Sequence, residues 1–502
     1  MSFKILTIIL CIFVFAPVIF GQSAITQITT KVELPNDTLG NIMREWLAAI
    51  ENGDEAEINR FVENRFSVGA KKNQPNAAKY FRKLHEQSGG LELIRVTPPA
   101  GEFPMSILAK SKRGEHFASI TVGRDRNEEG KLAGLGVYKA QNPNTPKLSA
   151  TTKILSEAEM IAEIKAEVER RAAAGDFSGV VLVAKDDKIL LHKAYGLADV
   201  ENKVPNKLET KFHLASVGKM FTAVSIAQLV KAGKLSYEDT VGRILPDFPN
   251  PEFKKITIHQ LLTHTAGMGT FFESPGIVPG KAYRNATEEI AVYKDEKLYF
   301  EPGARWRYSN AGFSLLGAII EKVSGKTYIE YVRENVFKPL NMEDKAKNPG
   351  DISVLYNQSD EDPLGVQAYP PVKGIIDSVG TGFGGGYLDT GDLFKFARAY
   401  RTGKLLGAET IEKIAKGKIS ENAKGDACWG YGIKERDING ELVRGHSGGG
   451  RTDVQMLWNS GHTVIVQTNK VPLPATALSG EIIMFITKQN QMKNAKTTAN
   501  VK

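Results

Sequence analysis

The most constraining feature of the sequence is an apolar stretch near its middle, HLASVGKMFTAVSIAQLV (213–230), which carries a lysine. A helix that is apolar nearly all round has to be buried inside the protein. Because an unpaired buried charge is very costly, Lys219 must find polar partners or lose its charge. Gly233 is well placed to end this helix. The stretch therefore predicts a large domain built around a buried helix with a structural or reactive lysine.

A serine precedes this lysine at a spacing that allows chemistry. Ser216 lies three residues before Lys219, and residues at i and i+3 share one helix face, about 5–6 Å apart at Cβ. A serine hydroxyl becomes a strong nucleophile only when a neighbouring group takes its proton. A Ser-x-x-Lys pair is a weak signal alone, since the alternative is a structural lysine bonded to carbonyl groups.

A second candidate element is Tyr308-Ser-Asn310, in EPGARWRYSNAGFSLLGAII. A tyrosine beside a lysine can act as a general base, and an asparagine two residues later can bind both the lysine and a substrate carbonyl. Tyr283-Arg-Asn285 has the same spacing. We favour Tyr308 because it follows a Pro-Gly turn and precedes an apolar helix, a setting that fixes a loop over a pocket.

The third element is the small-residue run that begins with His446 in VRGHSGGGRTD. It ends a predicted strand, so that its backbone can approach a substrate closely and an exposed N–H can stabilise an oxyanion. A simple bulge in the strand is the alternative.

These three elements, in this order, resemble the serine β-lactamase and penicillin-binding superfamily. The similarity is greatest to its branch of class C β-lactamases, D-alanyl-D-alanine carboxypeptidases and β-lactamase-like esterases. The stretches LLTHTAGM (261–268) and GTGFGGGYLDTGDLFKFARAY (380–400) are also typical of that branch. The resemblance covers about 155–490. It implies an α/β sandwich, with an antiparallel sheet flanked by helices plus a helical lobe, and an active site between them.

The resemblance also implies roles for individual residues. The implied catalytic residues are Ser216, Lys219 and Tyr308. The implied substrate-binding residues are Asn310, His446, Ser447, Gly448 and Gly449. Ser216 is the implied nucleophile, and either Lys219 or Tyr308 takes its proton. The N–H groups of Ser216 and Gly449 form the implied oxyanion hole.

His446 departs from the pattern of class C β-lactamases, which usually have a lysine at this position. Histidine has a reference pKa of about 6.5 and is only partly charged near neutral pH. This departure favours a peptidase or an esterase over an efficient β-lactamase. If His446 does not bind a substrate carboxylate, Arg451 is the nearest candidate in sequence.

Two hypotheses for function follow. The first is an exported serine hydrolase that cleaves an ester, an amide or a D-amino-acid peptide bond. The alternative is a catalytically weak penicillin- or peptidoglycan-binding sensor. We expect a small-molecule or peptidoglycan-derived substrate, no cofactor, no metal and no nucleic acid. His259 and His264 are spaced by five, which does not match the zinc-protease pattern.

The first residues predict export. MSFK followed by ILTIILCIFVFAPVIF and GQSA has the pattern of a secretory signal peptide over 1–21, and an uncleaved anchor is the alternative. We therefore expect a secreted or periplasmic protein with no stable membrane insertion after cleavage. Cys428 is then the remaining cysteine, so an intramolecular disulfide is not expected.

The composition of the remaining sequence indicates four successive segments. Residues 32–140 predict a small α+β domain, with an amphipathic helix from Leu39 to Ile50 and four strands after the helices. This order loosely resembles the nuclear-transport-factor-like cone fold, and an accessory or dimerisation role is expected. Residues 141–154 predict a linker, 155–490 the hydrolase domain, and 491–502 a disordered basic tail.

Overall fold

A computed structural model describes residues 32–98, 105–125, 128–145, 147–271, 274, 276, 283, 285–345, 350–357, 362–364, 380–422, 425–471 and 475–501. The predicted signal peptide, 1–21, lies outside these ranges. Within them, the helices are too short or too polar to cross a bilayer.

The N-terminal domain places helices before strands, in the predicted order. Its helices are α1 (Thr38–Asn52), α2 (Glu55–Arg65), α3 (Val68–Asn73) and α4 (Ala77–Ser88). Its strands are β1 (Leu91–Thr97), β2 (Met105–Ser111), β3 (Phe117–Arg124) and β4 (Leu132–Ala140), which form an antiparallel meander. The likeness to the cone fold and the accessory role stay predictions.

Helix α1 shows why the local sequence folds in this way. The Asp37 carboxylate caps its first turn by accepting from Gly40 N at 2.8 Å. Gly53, with φ of 68°, ends it in the left-handed conformation that favours glycine. The apolar stripe predicted from Leu39 to Ile50 is buried, and Trp46 meets Phe81 of α4 edge to face. The predicted helix is therefore confirmed.

The larger domain contains both helices and a central sheet. Its α-helices in the described ranges are α5 (Glu157–Ala173), α6 (Lys219–Lys231), α7 (Val241–Ile244), α8 (Ile258–Leu262), α9 (Ala286–Tyr293), α10 (Asn310–Ser324), α11 (Tyr328–Val332), α12 (Thr390–Thr402), α13 (Ala408–Ala415) and α14 (Ala475–Val501). Its long strands and their short companions are β5 (Gly179–Lys185), β6 (Lys188–Tyr195), β7 (Leu197–Asp199), β8 (Val204–Pro205), β9 (Phe212–His213), β10 (Tyr356–Asn357), β11 (Tyr387–Leu388), β12 (Ile419–Ser420), β13 (Ala427–Trp429), β14 (Lys434–Ile438), β15 (Glu441–Gly448), β16 (Thr452–Leu457), β17 (His462–Thr468) and β18 (Lys470–Val471).

Eight of these strands form one antiparallel sheet in the order β12-β13-β14-β15-β16-β17-β5-β6. Successive residues of β17 point to opposite faces, as strand geometry requires. Val464 and Val466 join the core beneath α5 and α14, whereas Ile465 joins the core shared with α6 and the helical lobe. Helices therefore cover both faces of the sheet, and the predicted sandwich is confirmed.

Residues 141–154, predicted to be a linker, are held against the last helix instead of hanging free. Leu148 N donates to Glu481 Oε1 at 2.9 Å, and Lys153 O accepts from Gln489 Nε2 at 2.9 Å. Two polar side chains of α14 thus satisfy backbone groups that a free linker would expose to water. This segment is part of the packed structure.

The tail also differs from the prediction. In the described residues, α14 continues to Val501, whereas a disordered tail was expected from 491. After Gly480 this stretch contains neither glycine nor proline, and its lysines, glutamines and alanines favour a helix. Because its polar side chains face water, the helix extends beyond the domain that it packs against. The expected disorder is corrected.

One short segment of the larger domain enters the N-terminal domain. Leu364 is fully buried in the hydrophobic core formed by α1, α2, α4 and the meander. Gln87 of α4 holds it from both sides, since its Nε2 donates to Asp362 Oδ1 at 2.8 Å and its Oε1 accepts from Leu364 N at 3.0 Å. The two domains therefore share one core residue.

We expect Leu364→Ala to lower the free energy of unfolding of the N-terminal domain by about 2–5 kcal/mol, because it removes a buried side chain and leaves a cavity. Denaturant unfolding of the full chain, followed by circular dichroism, measures this. Ile352→Ala, at a side chain that is 39% exposed, is the control. Equal effects of the two changes would show that Leu364 is not part of the core.

Candidate active site

Ser216 lies in a one-turn 3₁₀-helix, Ala215–Gly218, that leads directly into α6. Gly384 packs closely against this turn: a Cβ on Gly384 would lie 2.2 Å from Ala215 O and 3.2 Å from Ser216 Cα. Only glycine permits this approach. The serine is therefore held on a rigid turn at the N-terminal end of a buried helix, where the backbone dipoles favour negative charge.

Lys219 is fully buried at the start of α6. Its Nζ lies 2.7 Å from Asn310 Oδ1 and 2.5 Å from Phe383 O. Ser216 Oγ is 3.3 Å away. None of these partners is a carboxylate, and burial holds the pKa of Lys219 well below its ordinary value of 10.5. The neutral amine is therefore favoured.

A neutral amine has two N–H donors and one lone pair. In the neutral form of Lys219, the Asn310 and Phe383 oxygens, which are its nearer partners, would take the two hydrogens, and the lone pair would be left for the Ser216 hydroxyl at 3.3 Å. This arrangement lets the amine accept the hydroxyl proton, which is what an activated serine nucleophile needs.

Tyr308 stands beside the lysine, with Lys219 Nζ 4.9 Å from its ring centroid. Its hydroxyl is buried close to the Ser216 hydroxyl, although the two do not form an ordinary hydrogen bond. Burial raises the pKa of Tyr308 above its ordinary value of 10.0, and the neighbouring Ser216 hydroxyl opposes the shift only in part. The phenol is thus kept protonated and can donate a hydrogen bond to a bound molecule.

Asn310 is the first residue of α10. The Ser309 hydroxyl caps this helix by accepting from Gly312 N at 2.9 Å and anchors it by donating to Gly269 O at 2.7 Å. Asn310 Nδ2 donates to Thr270 Oγ1 at 3.3 Å, while its Oδ1 faces the lysine. The competing motif lies elsewhere: Tyr283 is packed edge-on against Phe271.

His446 lies on β15 with its ring 6.3 Å from the Tyr308 ring. Its Nδ1 is 2.8 Å from Ser447 O, which places a hydrogen on Nδ1, and its Nε2 has no partner among the described residues. Burial lowers the pKa of His446 to about 3. The partial charge expected from the reference value is therefore corrected: the ring is neutral, and Nε2 is an acceptor.

Ser447 does not turn its side chain toward this cluster. Its hydroxyl donates to Asp453 Oδ1 at 2.5 Å, and Asp453 is also bonded to Ser479 of α14. Because side chains alternate along a strand, a serine next to an inward-facing His446 faces the opposite side of the sheet. The Ser447 hydroxyl is thus engaged away from this cluster, and the substrate-binding role of Ser447 stays a prediction that rests on its backbone.

The two glycines after Ser447 lie against the nucleophile turn. A Cβ on Gly448 would be 2.0 Å from Leu214 O, and one on Gly449 would be 3.5 Å from Ala215 Cβ. The Gly449 backbone therefore borders the turn that presents Ser216. Arg451, the alternative reader of a carboxylate, is buried with its Nη1 3.2 Å from His213 Nδ1.

Two segments contribute groups that motif reasoning did not assign. The Phe383 carbonyl belongs to the glycine-rich stretch 380–386, and a Cβ on Gly382 would be 2.3 Å from Phe313 O. His264, in LLTHTAGM, packs against Tyr308 with ring centroids 4.4 Å apart. The sequences of both stretches are typical of the family branch that the chain resembles, and this likeness is the signal that could have identified the two groups. Within the described ranges, no cluster of three His, Cys, Asp or Glu side chains is suited to a metal ion.

Comparison with known proteins agrees with this geometry. Penicillin-binding protein 4* of Bacillus subtilis (strain 168) is 40% identical over 174 residues, covering 33% of this chain and 37% of that protein. A putative penicillin-binding protein of the same strain is 29% identical over 245 residues, covering 47% of this chain and 58% of that protein. The matches thus span about a third to three fifths of these relatives' length.

A solved structure is similar over its whole length. The penicillin-binding protein from Bacillus halodurans has a TM-score of 0.55 and 27% identity, covering 65% of this chain and 98% of that chain. The family model described as beta-lactamase matches residues 164–486, which is more than half of the sequence. With this match and the arrangement around Ser216, the chain belongs to the beta-lactamase family.

Proposed function

We propose that this protein is an exported serine hydrolase that forms an acyl-enzyme on Ser216. The observation that carries the proposal is the buried Lys219 amine, which has no carboxylate partner among the described residues and lies 2.7 Å from Asn310 Oδ1, 2.5 Å from Phe383 O and 3.3 Å from Ser216 Oγ. Similarity to proteins named as penicillin-binding proteins supports it. Export rests on the signal-like segment 1–21 and implies a secreted or periplasmic location.

In the proposed reaction, Lys219 takes the Ser216 proton while the serine oxygen attacks the acyl carbon of the substrate. The N–H groups of Ser216 and Gly449 stabilise the charge that develops on the former carbonyl oxygen. Tyr308 donates its proton to the leaving group and is reprotonated by the Lys219 ammonium. Water then attacks the acyl group, gives a proton to Lys219, and frees the serine, which regains its proton from the lysine.

The opposite pKa shifts assign these two roles. Burial favours the neutral form of both groups, which makes Lys219 a proton acceptor and Tyr308 a proton donor. Of the two bases that the motifs left open, we therefore propose Lys219. This assignment requires no tyrosinate in the free enzyme.

For the substrate, we propose an ester or amide donor without a carboxylate beside the scissile bond. A neutral His446 offers an acceptor at Nε2 and no charge to pair with an anion. The Trp429 ring lies 5.4 Å from His446 and is stacked 6.0 Å from Trp306. This aromatic wall favours an apolar acyl group. A peptide with a D-amino-acid bond also belongs to the proposed substrates, provided that the carboxylate of the peptide is bound by residues other than His446.

The first prediction concerns the nucleophile. A fluorophosphonate should label the wild type on Ser216, as shown by peptide mass spectrometry. Ser216→Ala should lose the label and at least about 1,000-fold in turnover of a p-nitrophenyl ester, while the melting temperature stays unchanged. Ser225→Ala, a buried serine on the same helix, should keep both. Absence of a Ser216 adduct in the wild type contradicts the hydrolase, whereas an adduct without ester turnover supports the alternative of a weak penicillin- or peptidoglycan-binding sensor.

The second prediction concerns pH. Protonated Lys219 cannot take the serine proton, so kcat/KM on an uncharged ester should fall as pH decreases through the lysine pKa and reach a plateau above it. The midpoint should lie well below 10.5 because burial depresses the pKa. His446→Gln should leave the midpoint unchanged, since His446 titrates only near 3. A midpoint near the ordinary lysine value, or one that moves in His446→Gln, would refute the assignment.

The third prediction concerns substrate choice. His446→Lys should raise kcat/KM for a carboxylated donor relative to an uncharged ester by about ten- to a hundredfold, because it adds a charged hydrogen bond. His446→Gln keeps a neutral acceptor and should leave this ratio nearly unchanged. A chromogenic cephalosporin and a p-nitrophenyl ester provide the two donors. An unchanged ratio in His446→Lys would mean that this position does not contact the substrate.

A further inference from the structure

A single residue, His264, bonds to the backbone on both sides of Tyr308. The His264 carbonyl accepts from Arg307 N at 2.8 Å, and its ring Nδ1 accepts from Ser309 N at 3.1 Å. Five residues later, Gly269 O accepts the Ser309 hydroxyl at 2.7 Å. The peptide units that flank the tyrosine are therefore fixed by the His264–Gly269 segment, and their orientation determines where the Tyr308 side chain points.

The backbone of His264 is itself unusual. Its φ is 61°, in the left-handed region that is uncommon for residues other than glycine, although histidine is among the residues enriched there. In this conformation the same residue presents its carbonyl and its ring to one neighbouring segment. Such strained positions persist where the surrounding structure requires them, and they cluster at functional sites.

The ring also supports Tyr308 through packing. It is fully buried, with its centroid 4.4 Å from that of Tyr308 and 5.0 Å from that of Phe313. The Trp429 ring packs edge to face against the His264 ring, with centroids 5.1 Å apart and an angle of 87° between the ring planes. The imidazole thus lies directly against the side chain whose position the reaction needs.

Its protonation state is fixed as well. Burial holds the pKa of His264 well below 6.5. Because Nδ1 accepts from a backbone N–H, the ring hydrogen must be on Nε2, which has no hydrogen-bonding partner among the described residues. A buried donor without a partner is costly, and an apolar side chain would fill the space without that cost. Packing alone therefore does not explain a histidine here.

We propose that His264 is a positioning residue that holds the Tyr308 hydroxyl and the Asn310 amide in place beside Lys219. Its Nδ1 acceptor fixes the Ser309 peptide, which joins the two functional side chains, and its ring supports the tyrosine. Without the acceptor, the buried Ser309 N–H loses its partner, and we expect the peptide to shift and to move both side chains relative to the lysine. The inference rests on the proposed hydrolase function.

Two variants separate the acceptor from the backbone strain. His264→Asn keeps an acceptor near the position of Nδ1 and tolerates a positive φ, whereas His264→Gly tolerates the φ but has no acceptor. We expect kcat on an uncharged ester to fall about 100-fold in His264→Gly with KM nearly unchanged, because misplacing a catalytic group by about 1 Å has this effect. His264→Asn should stay within about tenfold of the wild type.

His462 supplies the matched control. It is also buried, its Nδ1 bonds to Ser460 Oγ at 3.0 Å, and its Nε2 has no partner in the described ranges. It lies on β17 near the hairpin that joins β5 and β6. His462→Gly should lower the melting temperature and leave kcat unchanged. If His264→Gly does not fold, His264→Leu fills the volume without an acceptor and takes its place against His264→Asn.

The outcomes can be read independently of the hydrolase proposal. Wild-type turnover with a Ser216 adduct establishes the function first. Given that function, equal losses of kcat in the Asn and Gly variants, or a Gly variant within about threefold of the wild type, would overturn the positioning role, since a 100-fold loss is expected. Rescue by asparagine with KM unchanged supports it, because a purely structural defect would not depend on the acceptor.

Discussion

The site depends on one buried amine that has no carboxylate partner. Lys219 enters the core at the start of α6, and its hydrogen-bond partners are an amide oxygen, a backbone carbonyl and a hydroxyl. A carboxylate at this position would keep the lysine charged and remove its ability to accept a proton. Neutral oxygen partners satisfy its two donors and leave its lone pair available. The structural alternative and the proposed role of Lys219 as a proton acceptor are therefore not exclusive.

The partners of Lys219 come from segments that are far apart in sequence. Asn310 begins α10, and its cap, Ser309, bonds to Gly269 in the stretch after α8. Phe383 lies in a glycine-rich segment inserted between α10 and the nucleophile turn, where Gly382 and Gly384 leave no room for a Cβ. Close backbone packing thus brings a carbonyl to the amine. Gly382 is required by its contact with α10, and Gly384 by its contact with Ala215.

Much of the local structure could be predicted from the sequence. The helix from Leu39 follows from its apolar period. The hairpin that joins β14 and β15 follows from its two turn residues, Asn439 and Gly440, which both have positive φ. The structure differs from the sequence-based expectation in two segments, where contacts with distant residues or an uninterrupted helix propensity determines the conformation. The 141–154 segment looks like a linker by composition, but α14 satisfies its backbone groups. The basic tail continues that helix because no residue interrupts it.

The sequence by itself determined the candidate nucleophile, the lysine three residues later and the choice of Tyr308 over Tyr283, because spacing and flanking turns are local properties. Only the tertiary structure decided the charge of His446, the direction of the Ser447 side chain and the place of Leu364. A histidine's pKa depends on how much water and which charges surround it, and a strand residue's role depends on which face of the sheet it occupies. The sequence around Leu364 does not show which of the hydrophobic cores this leucine joins. These properties are set by neighbours that are remote along the chain, so they follow from the packed fold and not from the motif.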